Sequence, residues 1–186
     1  VRRRAHRRVR VVGGELRGRR LASPPARSRA VRPTSDRARE ALFSILGDAG
    51  RGASVLDLFC GTGALAIEAL SRGAARAVLV DSDPRLARRN VAELGLGGRA
   101  KVVRADAVHY LRPGGERFDL IFCDPPYNIA DRLEGDLDSL IPPRLARSGR
   151  LIVESSARRP LELAALPVVL ERRYGEALVR IYGHDR

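Results

Sequence analysis

The sequence predicts a doubly wound, Rossmann-like α/β fold: a seven-stranded, mostly parallel sheet with an antiparallel terminal hairpin, plus a small basic β-hairpin at the N-terminus. Three observations predict it. Short apolar runs alternate with amphipathic stretches from Ser54 to Glu154, the pattern of strand–helix–strand units. The last two apolar runs, Val168 to Tyr174 and Ala177 to Tyr182, are joined near Gly175 by a link too short for a crossover, so they pair antiparallel. Acids and glycines stand just past several of the strand runs, at the edge where such sheets bind ligands.

The elements follow in chain order. Val1 to Arg8 is basic and is expected to order only against a polyanion. Val9 to Leu21 reads as a hairpin turning at Gly13-Gly14, with arginine at most polar positions. A loop rich in Pro, Ser and Arg follows, so the chain divides into a basic arm over 1–33 and a domain over 34–186. A helix spans 35–46, capped by Thr34 or Ser35 and ended by Gly47. Its apolar face is Ala38, Ala41, Leu42, Ile45 and Leu46. Then come strand Ser54 to Phe59, helix Ala64 to Arg72 stopped by Gly73, strand Ala77 to Asp81 and helix Pro84 to Leu94. Asp83 is the expected N-cap of that helix, with Pro84 in its first position. Strand Lys101 to Arg104, a short helix Ala107 to Leu111, strand Phe118 to Cys123, a helical stretch over 131–141 and strand Arg150 to Glu154 complete the alternation.

The 186 residues can bury a substantial core as one domain with a small appendage. No apolar run reaches membrane-spanning length and no signal-peptide core follows the basic start. Cys60 and Cys123 both close predicted buried strands and read as free thiols of a reducing cytoplasm. The three histidines have no close cysteine partners, so no metal is expected. A monomer is expected. The net charge of +13 is concentrated at one end: residues 1–40 hold fourteen arginines against Glu15, Asp36 and Glu40, a net of +11, and the rest of the chain nets +2. Guanidinium grips phosphate in a fork, so an arginine-dominated patch points to nucleic acid.

The central strand ends in Cys123-Asp-Pro-Pro-Tyr127. Two prolines cannot donate to a ladder, and their fixed φ makes a stiff corner. The corner holds Asp124 as an acceptor beside Tyr127 as an aromatic plate, which suits a planar base carrying an exocyclic amine. The first strand ends in Asp57-Leu-Phe-Cys-Gly-Thr-Gly63. Gly61 and Gly63 allow a tight turn and close approach of backbone to a ligand. The spacing Gly61-x-Gly63-x-x-Ala66 also satisfies the loose dinucleotide fingerprint. Asp57 argues against that reading. Facing the ligand, its carboxylate would repel a pyrophosphate and attract a ligand carrying an ammonium and a sulfonium, as S-adenosylmethionine does. Asp81, ending the second strand, lies at the distance expected for holding ribose hydroxyls. Asp106, after the third, suits an adenine amino group or the cap of the helix that follows. Three acids and a glycine turn at the ends of three consecutive strands outweigh any one of them. Cys123 sits inside its strand and reads as a small core residue rather than a nucleophile. His109 is assigned no chemistry.

Asp57-x-Phe-x-Gly-x-Gly63 together with Asp124-Pro-Pro-Tyr127 resembles the class I S-adenosylmethionine-dependent methyltransferases that act on exocyclic amines. The block Arg32-Pro-Thr-Ser-Asp-Arg-Ala-Arg-Glu-Ala-Leu-Phe43, preceded by the Gly-Gly basic hairpin, resembles the RsmD family, bacterial enzymes that methylate N2 of a guanine in 16S rRNA. The likeness runs over residues 9–183. It implies a class I methyltransferase fold, S-adenosylmethionine as cofactor, the small ribosomal subunit as partner and guanine 966 as target. It assigns the methionine part of the cofactor to Asp57, Gly61 and Gly63, the ribose to Asp81 and the adenine to Asp106, with Phe59, Ser82 and Ala107 as further cofactor contacts. The target base falls to Asp124, Pro125, Pro126 and Tyr127. Arg10, Arg17, Arg19, Arg20 and Arg32 are the RNA contacts expected of the arm, and the helix after Pro33 is implied to close over the cofactor.

The same corner also serves adenine N6 and the side-chain amides of proteins. The basic arm speaks against a protein substrate, and guanine over adenine rests on the family resemblance alone. A non-catalytic RNA-binding module remains the reading from another class, opposed by the intact Asp57, Asp81, Asp106 and Asp124.

Overall fold

A computed structural model describes residues 9–24 and 36–183 of the chain. Its elements are α1 (Asp36–Leu46), β1 (Ser54–Leu58), α2 (Ala64–Ser71), β2 (Arg76–Asp81), α3 (Arg85–Glu93), β3 (Ala100–Arg104), α4 (Ala107–Leu111), β4 (Phe118–Cys123), α5 (Ala130–Leu140), β5 (Leu145–Ser156), β6 (Val168–Tyr174) and β7 (Ala177–Tyr182). The seven strands form one sheet in the order β3-β2-β1-β4-β5-β7-β6. β1 pairs in parallel with both β2 and β4, so the order reverses between them and a ligand crevice opens at their carboxyl ends. β7 inserts antiparallel between β5 and β6.

The central strands are apolar runs because both faces of the sheet are covered. Alternation then sends neighbours to opposite layers. Val55, Leu79, Leu120, Phe122 and Ile152 pack with α1, α2 and α3 on one face. Leu56, Leu58, Val80, Ile121 and Val153 pack with α4 and α5 on the other. Leu56 and Leu58 are wholly buried, and truncating a residue so placed to alanine costs about 2–5 kcal/mol. Among the described residues no helix is long and apolar enough to cross a membrane.

Four expectations are corrected. The buried face of α1 is Ala38, Arg39, Leu42, Phe43 and Leu46, while Ile45 is 41% exposed and Ala41 only partly covered. Phe43 turns the helix inward by packing on Phe122, with ring centroids 5.8 Å apart. The Arg39 guanidinium follows it into the interior, donating to the Arg10 carbonyl at 2.6 Å and to Asp36 Oδ1 at 2.8 Å. Asp83 does not cap α3: its carboxylate forks onto the Arg85 guanidinium at 2.7 and 2.6 Å, and Pro84 occupies the cap position. β5 starts at Leu145, five residues before Arg150, because a register shift lets both Leu145 and Arg150 pair with β4.

The N-terminal segment is the fourth. The chain does not turn tightly at Gly13-Gly14. It bridges at Arg10 and Arg20 and rounds a wider turn over 13–18, closed by Val11 N–H to the Arg19 carbonyl and Gly18 N–H to the Val11 carbonyl, both 2.9 Å. That turn is seated on α2. Val12 N–H donates to Glu68 Oε2 at 2.8 Å and Leu16 N–H to Ser71 Oγ at 2.9 Å, while Ser71 Oγ–H donates to the Gly13 carbonyl at 2.6 Å. A Cβ on Gly14 would lie 1.9 Å from the Ser71 carbonyl oxygen, and φ there is +74°. Only glycine meets both conditions. Val9, Val11 and Leu21 are buried in the core beneath α1 to α3. Thr34, Ser35 and Arg32, expected to cap α1 and to contact RNA, lie outside the described residues.

Candidate active site

The loop after β1 holds three residues with positive φ. Phe59 has φ of 59°, the single non-glycine residue with positive φ among the described residues. A left-handed non-glycine residue costs on the order of 1–3 kcal/mol and persists where its surroundings hold it, commonly at functional sites. Gly61 and Gly63 follow with φ of 52° and 77°. Gly63 also lacks room: a Cβ there would meet Leu79 Cδ2 at 2.7 Å. The loop is pinned by Cys60 N–H to the Val80 carbonyl at 3.1 Å and Gly63 N–H to the Cys60 carbonyl at 2.7 Å.

Asp57 sits under this loop, 2% exposed. Its Oδ2 accepts the Ala66 N–H at the start of α2 at 3.1 Å. Burial pushes its pKa up to about 7, the Ala66 bond opposes the rise, and the Asp81 charge adds to it. Asp81 ties the same loop to β2: Oδ2 accepts the Gly61 N–H and Oδ1 the Asp83 N–H, each at 2.8 Å. A carboxylate has about four lone-pair sites, so two remain for a ligand. Ser82 is exposed beside it. Asp106 caps α4 by accepting the His109 N–H at 3.0 Å, one of the two roles expected of it. It is solvent-facing, while Ala107 behind it is buried.

Asp124 follows Cys123, the last residue of β4. It is recessed beside the buried Pro125, whereas Pro126 is exposed and the Tyr127 ring stands 49% exposed at the corner. The Pro126 carbonyl accepts the Ile129 and Ala130 N–H groups at 3.0 and 3.1 Å, which turns the chain into α5 and holds the plate. The Asp124 pKa is raised well above the usual carboxylate value by burial first, then by the charges of Glu154 and Asp57. Burial likewise raises the Cys123 and Cys60 thiols, with the nearby carboxylates adding to it. Neither thiol is suited to nucleophilic work.

Register and alternation place Asp57, Asp81, Asp124 and Glu154 on the α1–α3 side of the sheet, toward the carboxyl ends of β1, β2, β4 and β5. With Asp106 after β3, five consecutive strands in the sheet order carry an acid at this edge. α1 roofs part of the row: Ala38 and Leu42 line a small cavity with Leu65, Asp124, Ile152 and Glu154. Glu154 was not singled out from the sequence, although it closes the apolar run of β5 as the other acids close theirs. A site of clustered, partly buried carboxylates fits a positively charged ligand. Among the described residues no group of three potential ligands is arranged for a metal ion.

The described arm arginines, Arg10, Arg17, Arg19 and Arg20, are all exposed. Arg10 pairs with Asp36 at 3.0 Å, and Arg19 donates to the Glu93 carbonyl at the end of α3 at 3.4 Å. The arm therefore borders α3, where Arg85, Arg88 and Arg104 line a further cleft with Asp83 and Pro84.

Residues 9–183 match the family described as "Conserved hypothetical protein 95". The chain is 40% identical over 121 residues to ribosomal RNA small subunit methyltransferase D of Escherichia coli, covering 64% of this chain and 60% of that protein. It thus spans about three fifths of that relative's length. It is 34% identical over 186 residues to YlbH of Bacillus subtilis, provisionally described as an rRNA methyltransferase, covering 94% of this chain and 98% of that one. A solved structure of a hypothetical protein of Thermus thermophilus superposes with a TM-score of 0.76 at 34% identity, covering 95% of this chain and 99% of its own. The chain belongs to the Conserved hypothetical protein 95 family, that of the RsmD methyltransferases.

Proposed function

We propose that this protein transfers a methyl group from S-adenosylmethionine to the exocyclic N2 of a guanine in 16S rRNA of the small ribosomal subunit. One observation carries the chemistry: a recessed Asp124 beside the exposed Tyr127 plate, within the row of acids along one edge of the sheet. The family supports the rRNA substrate and, within it, guanine.

The cofactor supplies a methyl group already activated on a sulfonium, so no covalent enzyme intermediate is required. Asp57, lodged under the glycine loop, attracts the ammonium and sulfonium. Asp81 accepts from the ribose hydroxyls and Asp106 from the adenine amine. Their backbone bonds already fix the orientation of all three carboxylates. The target amine is a weak nucleophile because its lone pair is conjugated with the ring, and in a stem it is stacked out of reach. The base is taken out of its stack and lies on Tyr127. Asp124 and the Pro125 carbonyl accept its two amine hydrogens, which aims the nitrogen lone pair at the methyl group. Holding reactants in line in this way is worth up to about 7–11 kcal/mol. As the N–C bond forms and the C–S bond breaks, the electron pair stays on sulfur and positive charge develops on nitrogen beside Asp124. The Asp124 carboxylate is placed to take the proton and pass it to water.

The exposed arginines of the arm and of the α3 cleft are assigned to rRNA phosphates, with Arg32 joining them from outside the described residues. Such contacts release counterions and make binding steeply salt-dependent. The test is labelled methyl transfer from S-adenosylmethionine to unmodified small subunits, naked rRNA and duplex DNA, with nucleoside analysis of the product. N2-methylguanosine from the ribosomal substrates is expected. N6-methyladenosine would overturn the choice of base, and no transfer to any of the three with cofactor bound would overturn the activity.

A further inference from the structure

Asp124 has a neighbour that the Asp-Pro-Pro-Tyr corner does not account for. The last register pair of parallel β4 and β5 is Cys123 with Val153. Asp124 and Glu154 follow side by side, one residue further along strands about 4.8 Å apart. Phe122 and Ile152, two residues earlier in each strand, belong to the same apolar layer, so both carboxylates point to the α1 side. Both line the small cavity under Ala38 and Leu42, and the Glu154 charge acts on Asp124.

We propose that Glu154 is a second acceptor for the target base, taking the N1–H of guanine while Asp124 takes a hydrogen of N2, so that the pair selects guanine over adenine. This rests on the guanine reading above and supplies the physical basis that the corner lacks, since one acceptor and one plate serve any exocyclic amine. The Watson–Crick edge of guanine presents two adjacent donors, N1–H and the 2-amino group. Two carboxylates abreast match them, and the donors relieve their mutual repulsion. Adenine presents its amine beside a bare lone pair at N1, which would face the Glu154 carboxylate acceptor to acceptor. A site built to hydrogen-bond one edge rejects the other because its polar groups are left unpaired.

The test uses the full-length protein and small subunits reconstituted with rRNA bearing either guanine or 2-aminopurine at the modified position. 2-Aminopurine keeps the 2-amino group but has a lone pair at N1. Wild-type protein is expected to prefer guanine by about ten- to a hundredfold in kcat/KM, the discrimination typical of a paired base contact. In Glu154→Gln the amide N–H can donate to that lone pair, so the preference is expected to vanish or invert. Glu154→Asp keeps the acceptor and should retain part of the preference. Cofactor Kd, measured by calorimetry, should stay at the wild-type value in both variants. An unchanged guanine preference in Glu154→Gln would overturn the proposal, as would loss of cofactor binding, which would place Glu154 on the cofactor instead. Product analysis of the wild type separates the two failures. N6-methyladenosine sinks the guanine reading and the proposal together, whereas N2-methylguanosine with an unaltered preference sinks the proposal alone.

Discussion

Replacing Asp57 with asparagine removes a buried charge while keeping the side chain's shape and its acceptor for the Ala66 N–H. In the folded protein the Asp57 pKa is pushed from 3.8 up to about 7, chiefly by burial. Below about pH 4 the carboxyl is neutral in both folded and unfolded chains and adds no pH dependence. Between the two values the folded chain keeps a proton that the unfolded chain has released, so stability falls as pH rises. Above the folded pKa the whole difference is lost, about 4 kcal/mol for a gap from 3.8 to about 7. Asparagine carries no such proton, so its variant lacks this slope. The assay is urea unfolding of both proteins without ligand at about pH 5 and about pH 8.5, on either side of the folded pKa. The stability of wild type relative to Asp57→Asn should fall by about 3 kcal/mol between the two pH values, the part of the gap that lies above about pH 5. Parallel pH profiles of the two proteins would refute the burial argument. The same charge is what the cofactor's cationic groups would relieve. Cofactor affinity of the wild type should therefore rise with pH up to about 7, and Asp57→Asn should bind about ten- to a hundredfold more weakly, the scale of a lost charged hydrogen bond.

Asp124→Ala should lower the rate of methyl transfer by about a hundred- to a thousandfold, the scale of one lost electrostatic stabiliser, with cofactor Kd measured by calorimetry unchanged; turnover near wild type would remove Asp124 from the chemistry. The triple substitution Arg17→Ser, Arg19→Ser, Arg20→Ser should flatten the slope of log K against log salt by about 2 if each residue meets one phosphate of single-stranded RNA. An unchanged slope in filter binding would take these residues off the interface. Point substitutions are the right probe, because deleting the arm would also remove Val9, Val11 and Leu21 from the core. Gly14→Ala should cost more than about 1–3 kcal/mol, since it adds a close clash to left-handed strain; a melting temperature equal to wild type would contradict the docking of the turn on Ser71.

The sheet was legible because its strands are buried on both faces. Each reads as a short apolar run, and the ranges of β4, β6 and β7 match those expected from the sequence. Side chains were less legible where a charged group is buried or a polar group pairs across elements. Arg39 is not part of the apolar face expected of α1, yet it is 1% exposed, with its Nη2 donating to Asp36 and to the Arg10 carbonyl. Asp83 reads as a helix cap because it precedes a proline, yet Arg85, two residues on, is a stronger partner. The contact of Arg39 with the Arg10 carbonyl is a matter of spatial proximity, which no periodicity in the chain expresses.

What the sequence by itself determined is the order of strands and helices, the strand-end positions of Asp57, Asp81, Asp106 and Asp124, and the stiff corner carrying Tyr127. These follow from local causes: apolar periodicity, the permissiveness of Gly61 and Gly63, and the fixed φ of Pro125 and Pro126. The tertiary structure alone decided that the basic arm is seated on α2 through Glu68 and Ser71, and that Phe43 and Arg39 set the face of α1. It also set Glu154 beside Asp124. Residues thirty positions apart in the chain become neighbours only when two parallel strands align in register, and that register is set by the packing of the helices between them.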